Sequence, residues 1–416
     1  MQLFAPLRTL TPRQWRAFVA AFLGWCLDAF DFFIVTFVVS KMADDFRLPI
    51  PKVAFAITIA LMFRPLGALA FGILADRYGR RGPLMISILL YSLFELLSGF
   101  APNFTVLIVL RALYGIAMGG EWGVGAALAL ETLPAAARGV ASGIIQQGYS
   151  MGYLLAALVY GTFFERIGWR GMFFIGVLPA LLVFFIRSGV EESPVWQNER
   201  IARLANRGNL VRSIARNPIL YAYAILLMAA FNFMSHGSQD LYPTFLIKQH
   251  GYDPASVRNV AVVMSVGAIV GGTLLGALSQ RIGRRRTILA CCICGACVIP
   301  FWTGATTGIS LALTAFAMQF FVQGAWGMIP AHLNELSPPA IRGTFPGLTY
   351  QLGNLITAYA AQWEAAFALT RYPLPAPQGA EYGRAMGIVM LGVFVAVFAL
   401  AAIGRERRGL AFETAT

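Results

Sequence analysis

The stretch GILADRYGRR, residues 72–81, returns 204 residues later as GALSQRIGRR, residues 276–285. Gly72, Arg77, Gly79, Arg80 and Arg81 meet Gly276, Arg281, Gly283, Arg284 and Arg285. At the same spacing GGEWG (119–123) meets QGAWG (323–327), and ETLPAAARGVASG (131–143) meets ELSPPAIRGTFPG (335–347). Three matches at one offset mark a repeat whose unit is half the chain.

The composition sets what each half is made of. Of 416 residues, 58% are hydrophobic and 12% charged, against about 25% charged in soluble proteins, and the mean hydropathy is +0.68. Apolar runs of the ~20 residues that cross a hydrocarbon core lie near 15–39, 53–75, 83–101, 104–130, 139–164, 170–188, 219–246, 258–280, 287–303, 308–333, 343–369 and 382–403. The expectation is an all-α membrane protein of twelve spans, six per half. Its parts are an N-terminal bundle (1–188), a cytoplasmic linker (189–217) and a C-terminal bundle (218–416).

A net charge of +13 invites a nucleic-acid reading, but in a membrane chain the placement of Lys and Arg reports orientation first. With the N-terminus inside, twenty-one of the 32 basic residues fall in cytoplasmic segments and nine face outward. Both termini are therefore expected in the cytoplasm, with the protein in the cytoplasmic (inner) membrane and the bilayer, not nucleic acid, as its partner. MQLFAPLRTLTPRQWRAF has arginines but no short apolar core and cleavage site, so the first span is expected to stay. Cys291, Cys292, Cys294 and Cys297 crowd into the apolar ILACCICGACVI, where thiols pack as small hydrophobes. His236, His250 and His332 form no H-E-x-x-H spacing, so neither a metal, a cofactor nor an enzyme is expected.

The loop after span two and its partner after span eight resemble the signature of the major facilitator superfamily, whose two parallel repeats rock about a site near the midplane. Asp76 and Glu131 accompany Arg80, Arg81 and Arg138, and Glu335 accompanies Arg342. Ion pairs among them are expected to latch the cytoplasmic side and break as the halves part. Gln280 stands where the first half has Asp76, so the latch should be asymmetric.

Charges inside spans cost ~2.5–3.5 kcal/mol each on insertion scales and mark pathways. Here they are Asp28 and Asp31 (span one), Arg64 (two), Glu95 (three), Arg111 and Glu121 (four), and His236 with Asp240 (seven). Arg111 presents a planar fork suited to a carboxylate. It is read as an anion clamp for which Asp31, with Asp28, competes until protonated. A permanent structural pair between Asp31 and Arg111 is the plainer reading. Arg64, next to Pro65, is the rival clamp or a partner for freed carbonyls.

In NFMSHGSQDLYPT, residues 232–244, Asn232, Ser235, His236, Gln239 and Asp240 share one helical face. His236 and Asp240, one turn apart, can share a proton. Gln147 and Gln351, equivalent at the 204 offset, either bind substrate or bond each other; Tyr149 lies beside the first. The spacing N-x-x-S-H-x-S-Q-D-x-x-x-T resembles the span-seven signature of fungal lactate and pyruvate proton symporters of the sialate:proton symporter family. That resemblance implies a monocarboxylate taken up with a proton, span-seven residues lining the path, and a role in anion binding for the span-four arginine, here Arg111. Paired acids in span one also occur in facilitators of aromatic acids. The overall expectation is a proton-coupled symporter of lactate or pyruvate, acting as a monomer. The nearest alternatives are a symporter of sialic or aromatic acids and a carboxylate uniporter or antiporter.

Overall fold

The computed structural model describes residues 4–48, 50–198, 210–375 and 380–409. The N-terminal half is α1 (Pro12–Phe46), α2 (Ile50–Tyr78), α3 (Arg81–Gly99), α4 (Phe104–Met118), α5 (Glu121–Thr132), α6 (Arg138–Gln146), α7 (Gly148–Ile175) and α8 (Pro179–Gly189). The C-terminal half is α9 (Pro218–Gln239), α10 (Pro254–Ile282), α11 (Arg284–Gly304), α12 (Gly308–Trp326), α13 (Ile329–Leu336), α14 (Phe345–Ile356), α15 (Ala360–Arg371) and α16 (Tyr382–Ile403). Of the expected linker 189–217, residues 199–209, with Arg200, Arg203 and Arg207, lie outside the described residues.

Among the described residues ten helical stretches are long and apolar enough to span a membrane alone. The remaining two expected spans, the fifth and eleventh, are interrupted: α6 hands over to α7 at Gln147, and α14 to α15 across Thr357–Tyr359. The fifth and sixth spans meet within α7 at Gly168, whose φ of 63° and ψ of −176° turn the chain sharply.

The repeat reaches the level of single backbone groups. Asn103 accepts from Val106 N at the start of α4, and Thr307, 204 residues on, closes a capping box with Ser310 at the start of α12. Each such cap stabilises its helix by about 1 kcal/mol. Gly79 and Gly283, equivalent in the loop motif, hold φ of 103° and 104°, a region that a Cβ disfavours. Cys291 and Cys292 are buried, whereas Cys294 and Cys297 are exposed, so only the first two pack inside the protein as expected of all four.

Glycines bring the halves into contact at the face that carries the arginine loops. A methyl on Gly123 would lie 2.6 Å from Gly347 Cα, and one on Gly143 would lie 2.7 Å from Gly272 O. Between them Ser142 Oγ donates to Gly327 O (2.8 Å) and accepts from Ala331 N (3.0 Å). The molecule is closed on this face.

Candidate functional site: an aromatic floor between the halves

At the centre, aromatic rings from both halves pack into one floor. Trp25 of α1 stacks on Tyr149 of α7 (centroids 5.6 Å apart) and meets Trp122 of α5 edge-on at 6.2 Å. From the other half Tyr350 lies 4.6 Å from Trp122 and 5.9 Å from Trp326. Trp122 Nε1 donates to Gln146 Oε1 at 3.3 Å.

Arg64 of α2 borders this floor. Its guanidinium sits over the Phe32 ring at 5.2 Å and donates to Met118 Sδ rather than to a carboxylate, leaving Nε without a partner. Asp28 and Glu121 both lie within its field, and the charges of Arg64 and Asp28 reach Tyr149 and Tyr350. Glu121 packs against α1, where a methyl on Gly24 would come within 2.2 Å of Glu121 Oε1, so only glycine leaves room for the acid.

Arg111 is placed differently from the expectation. Its Nη2 donates to Glu95 Oε2 at 2.5 Å and to Ser98 Oγ at 3.0 Å, and the guanidinium lies between the Tyr114 ring (4.2 Å) and the Phe173 ring (5.1 Å). The side chain is 1% exposed. Its carboxylate partner is thus Glu95, which the sequence reading leaves unassigned, and not Asp31. The reason is local: Glu95 and Ser98 stand one turn apart on α3 and face α4, so they take the fork first. Asp31 approaches from α1, converging with Glu95 on Gly176, where a methyl would lie 2.5 Å from Glu95 Cγ and 3.2 Å from Asp31 Oδ1. Neither Asp31 oxygen has a hydrogen-bond partner, nor has the Tyr91 or Tyr114 hydroxyl. The N-terminal half therefore holds two groups of two acids and one arginine: Asp28, Glu121 and Arg64 beside the aromatic floor, and Asp31, Glu95 and Arg111 inside the bundle.

The polar stripe of α9 divides. Gln239 Nε2 donates to Ser235 Oγ (2.5 Å) and Gln323 Nε2 to the same oxygen (3.2 Å), while Gln319 Nε2 donates to Ser238 Oγ (2.9 Å). Ser235, Ser238 and Gln239 thus pack against α12 as internal glue. Asn232 keeps an unpartnered Nδ2. His236 Nδ1 and Asp240 Oδ2 stand 3.0 Å apart and remain 30% and 38% exposed. The helix ends at Gln239, and a short helix over Tyr242–Thr244 and a wider turn over Phe245–Gln249 follow, so Thr244 does not continue the stripe on one helix. Gln147 and Gln351 do not bond each other. Gln147 leans onto Gly272 of the opposite half, and Gln351 Oε1 is buried without a partner.

At the arginine-rich face two fully buried ion pairs lie one within each half. Arg80 meets Glu131 through Nη2 (2.9 Å) and Nε (3.3 Å), as Arg284 meets Glu335 (3.0 and 3.2 Å). Burial works against the charge on Arg80, but the carboxylates of Glu131 and Asp76 hold its guanidinium above its ordinary value. Across the halves, Asp76 accepts from Gly343 N (2.7 Å), Thr344 N (3.0 Å) and Thr344 Oγ1 (2.6 Å). Its counterpart Gln280 bonds the other half through Nε2 to Ala135 O at 2.9 Å, while its Oε1 accepts from Arg284 Nη2 of its own half at 2.7 Å. Arg138 lies in the field of Glu335, and Glu131 in that of Arg342. Burial nevertheless pulls Arg138 down to about 10. Arg81 is tied through its backbone N to Glu192 Oε2 (3.1 Å), as Arg285 N is to Glu406 Oε2 (3.0 Å). These two acids are 214 residues apart, so a search at 204 passes them over.

A buried aromatic floor shared by the two halves, with arginines and acids beside it and the repeated arginine loops on one face, is the arrangement of a membrane transporter. The family model described as Major Facilitator Superfamily matches residues 21–361, and the chain belongs to that superfamily. It is a transport protein and not an enzyme. It is similar to a protein named carboxylic acid transporter protein homolog from Saccharomyces cerevisiae, with 31% identity over 96% of this chain and 70% of that protein. It is also similar to a probable 4-methylmuconolactone transporter from Cupriavidus pinatubonensis, with 31% identity over 86% of this chain and 84% of that one. Among solved structures the proton:xylose symporter XylE shares the fold, with a TM-score of 0.79 at 18% identity over 96% of this chain and 98% of the other.

Proposed function

We propose that the chain is a proton-coupled symporter of a small organic acid with one carboxylate, lactate or pyruvate, acting as a monomer in the cytoplasmic membrane with both termini and the arginine-rich face inside. The observation that carries this reading is Arg64: a guanidinium beside the aromatic floor with no carboxylate bonded to it and two acids, Asp28 and Glu121, in its field. A planar fork of this kind takes a carboxylate through two parallel hydrogen bonds. With both acids ionised, the group is net negative and repels an anion. A proton on either one leaves Arg64 available, so proton and substrate bind together. Asp31 with Glu95 offers a second place for a proton, held in order by Arg111. His236, Asp240 and Asn232 line the opposite wall, and the likeness to the yeast carboxylic acid transporter homolog supports the substrate class.

A larger, planar acid is the second reading. It is favoured by the aromatic floor, where Tyr149 stacks on Trp25 and Tyr350 meets Trp25 edge-on, and by the likeness to the 4-methylmuconolactone transporter. The test is uptake of labelled lactate into liposomes under an imposed inward proton gradient, with benzoate, sialic acid and a muconolactone as competitors. Accumulation driven by the gradient and lost in Arg64→Gln supports the first reading. Accumulation of benzoate or the muconolactone in place of lactate transfers the site to the second. Uptake unaffected by Arg64→Gln removes the clamp from both.

A further inference from the structure

The stretch AAQWEAAFALT of α15 holds one ionisable side chain, Glu364, that nothing above uses. It is fully buried, with neither carboxylate oxygen hydrogen-bonded. It points at Gly237 of α9: a methyl there would lie 3.8 Å from Glu364 Oε1 and 3.3 Å from Met390 Sδ of α16. Gly237 stands three residues before Asp240, so both occupy one face of the helix, and the missing side chain opens a gap in which the charge of Asp240 acts on Glu364. Asp240 is in turn bonded to His236, and that pair is partly exposed.

We propose that Glu364 is a proton-binding residue of the C-terminal half, loaded through the His236–Asp240 pair. A proton taken from solvent by that pair passes to a Glu364 oxygen. The proton neutralises Glu364 opposite the charge of Asp240, and the reverse transfer returns it to the pair. The ionisable groups facing Glu364 are Asp240 and, behind it, His236, both from α9. The stretch of α16 packed at this level, Gly387 to Met390, contributes none, and Arg371 of α15 lies seven residues away at the exposed helix end. An unpaired carboxylate in such a place is costly to keep charged, whereas a proton on Glu364 relieves both the burial of its charge and the repulsion from Asp240. The use of this proton in transport rests on the symport reading; its binding does not, and is measured without substrate.

The experiment is an infrared pH titration of the full chain in lipid nanodiscs, following the carbonyl stretch of protonated carboxyls. Glu364→Gln should delete one titrating band, Glu364→Asp should move it, and Asp240→Asn should shift its midpoint by about threefold or more in proton affinity. A Glu364→Gln spectrum that superimposes on the parent overturns the proposal. So does a midpoint unmoved in Asp240→Asn, which also decides the matter if Glu364→Gln does not fold. Failure of lactate uptake would leave this titration intact, and loss of the band's assignment would leave Arg64 untouched, so the two readings fail separately.

Discussion

Asp76→Asn should loosen the closed arginine-rich face far more than its pseudo-symmetric counterpart Gln280→Ala. The Asp76 carboxylate accepts three hydrogen bonds from the other half, two from the backbone N–H groups of Gly343 and Thr344 and one from the Thr344 hydroxyl. Hydrogen bonds to a charged acceptor contribute about 1.5–3 kcal/mol each, and neutral ones about 1 kcal/mol. An asparagine oxygen retains one or two of these at neutral strength and turns its NH2 toward a donor, so a net loss of roughly 3 kcal/mol is reasonable. At 1.4 kcal/mol per tenfold, the open-to-closed ratio rises roughly a hundredfold. Across the halves Gln280→Ala removes one neutral bond to Ala135 O, about 1 kcal/mol, or roughly fivefold; the bond it also removes from Arg284 lies within one half and is lost in the open and the closed state alike. The assay is a spin-label distance measurement between Tyr78→Cys and Ile282→Cys, both exposed at the ends of α2 and α10, on a background lacking the five native cysteines. Longer distances should dominate in Asp76→Asn and gain only modestly in Gln280→Ala. Superimposed distributions for Asp76→Asn and the parent, or equal effects of the two changes, would refute the argument.

Arg64→Lys keeps the charge but not the fork and should weaken substrate binding about tenfold or more with the melting temperature little changed; equal affinity in binding calorimetry would exclude Arg64 as the clamp. Glu95→Gln leaves Arg111 buried beside an amide, and breaking such a pair costs about 3–5 kcal/mol. The melting temperature should fall and be largely restored in Glu95→Gln/Arg111→Met, whereas a double variant as unstable as the single one would show that the pair is not the cause. Gly143→Val would drive a side chain into the backbone of Gly272 and Gly276. It should hold the arginine-rich face open in the spin-label experiment, and a closed distribution would show that this contact yields.

The architecture was legible because the repeat is written in residues with rigid geometric duties: glycines at positive φ, arginines facing acids, and tryptophans one residue before a close helix contact. The same offset also predicts paired caps, Asn103 with Thr307, which a search for identical residues overlooks because the two side chains do the same work with different chemistry. Glu192 and Glu406 escape for another reason: the segments carrying them differ in length, so equivalent positions are no longer 204 residues apart. Within the site, sequence spacing ranks charges but does not pair them. Arg111 and Arg64 look alike as lone arginines in apolar spans, and only the packing of α3 against α4 gives one of them a bonded acid and leaves the other beside the aromatic floor. Glu364 gives no signal at i±3 or i±4, since its neighbours there are Ala360, Ala361, Phe367 and Ala368. Its meaning comes from a glycine on another helix. The polar stripe of α9 misleads in the opposite direction, because two of its members, Ser235 and Gln239, bond each other and Ser235 also bonds Gln323 of α12.

The aromatic floor and the closed face are joined by adjacent residues, which gives a direct path from binding to reorientation. Trp122, in the aromatic floor, is followed by Gly123, which touches Gly347, and Gly347 stands three residues before Tyr350, the ring that Trp122 packs against. A ligand that engages Arg64 and presses on Trp122 or Tyr350 therefore acts on the same two helical turns that hold the halves together. Backbone contacts between glycines have no flexible side chain to absorb such a displacement, so a shift of the rings must either be resisted or move α5 relative to α14 as a unit. Moving that pair also strains the bonds from Asp76 to Gly343 and Thr344, which lie just before α14. On this geometry the latch opens at its strong, charged end only when the floor has been displaced, while the single Gln280 bond on the other side yields easily. Motion about the second contact, where Gly143 meets Gly272 and Gly276, then follows.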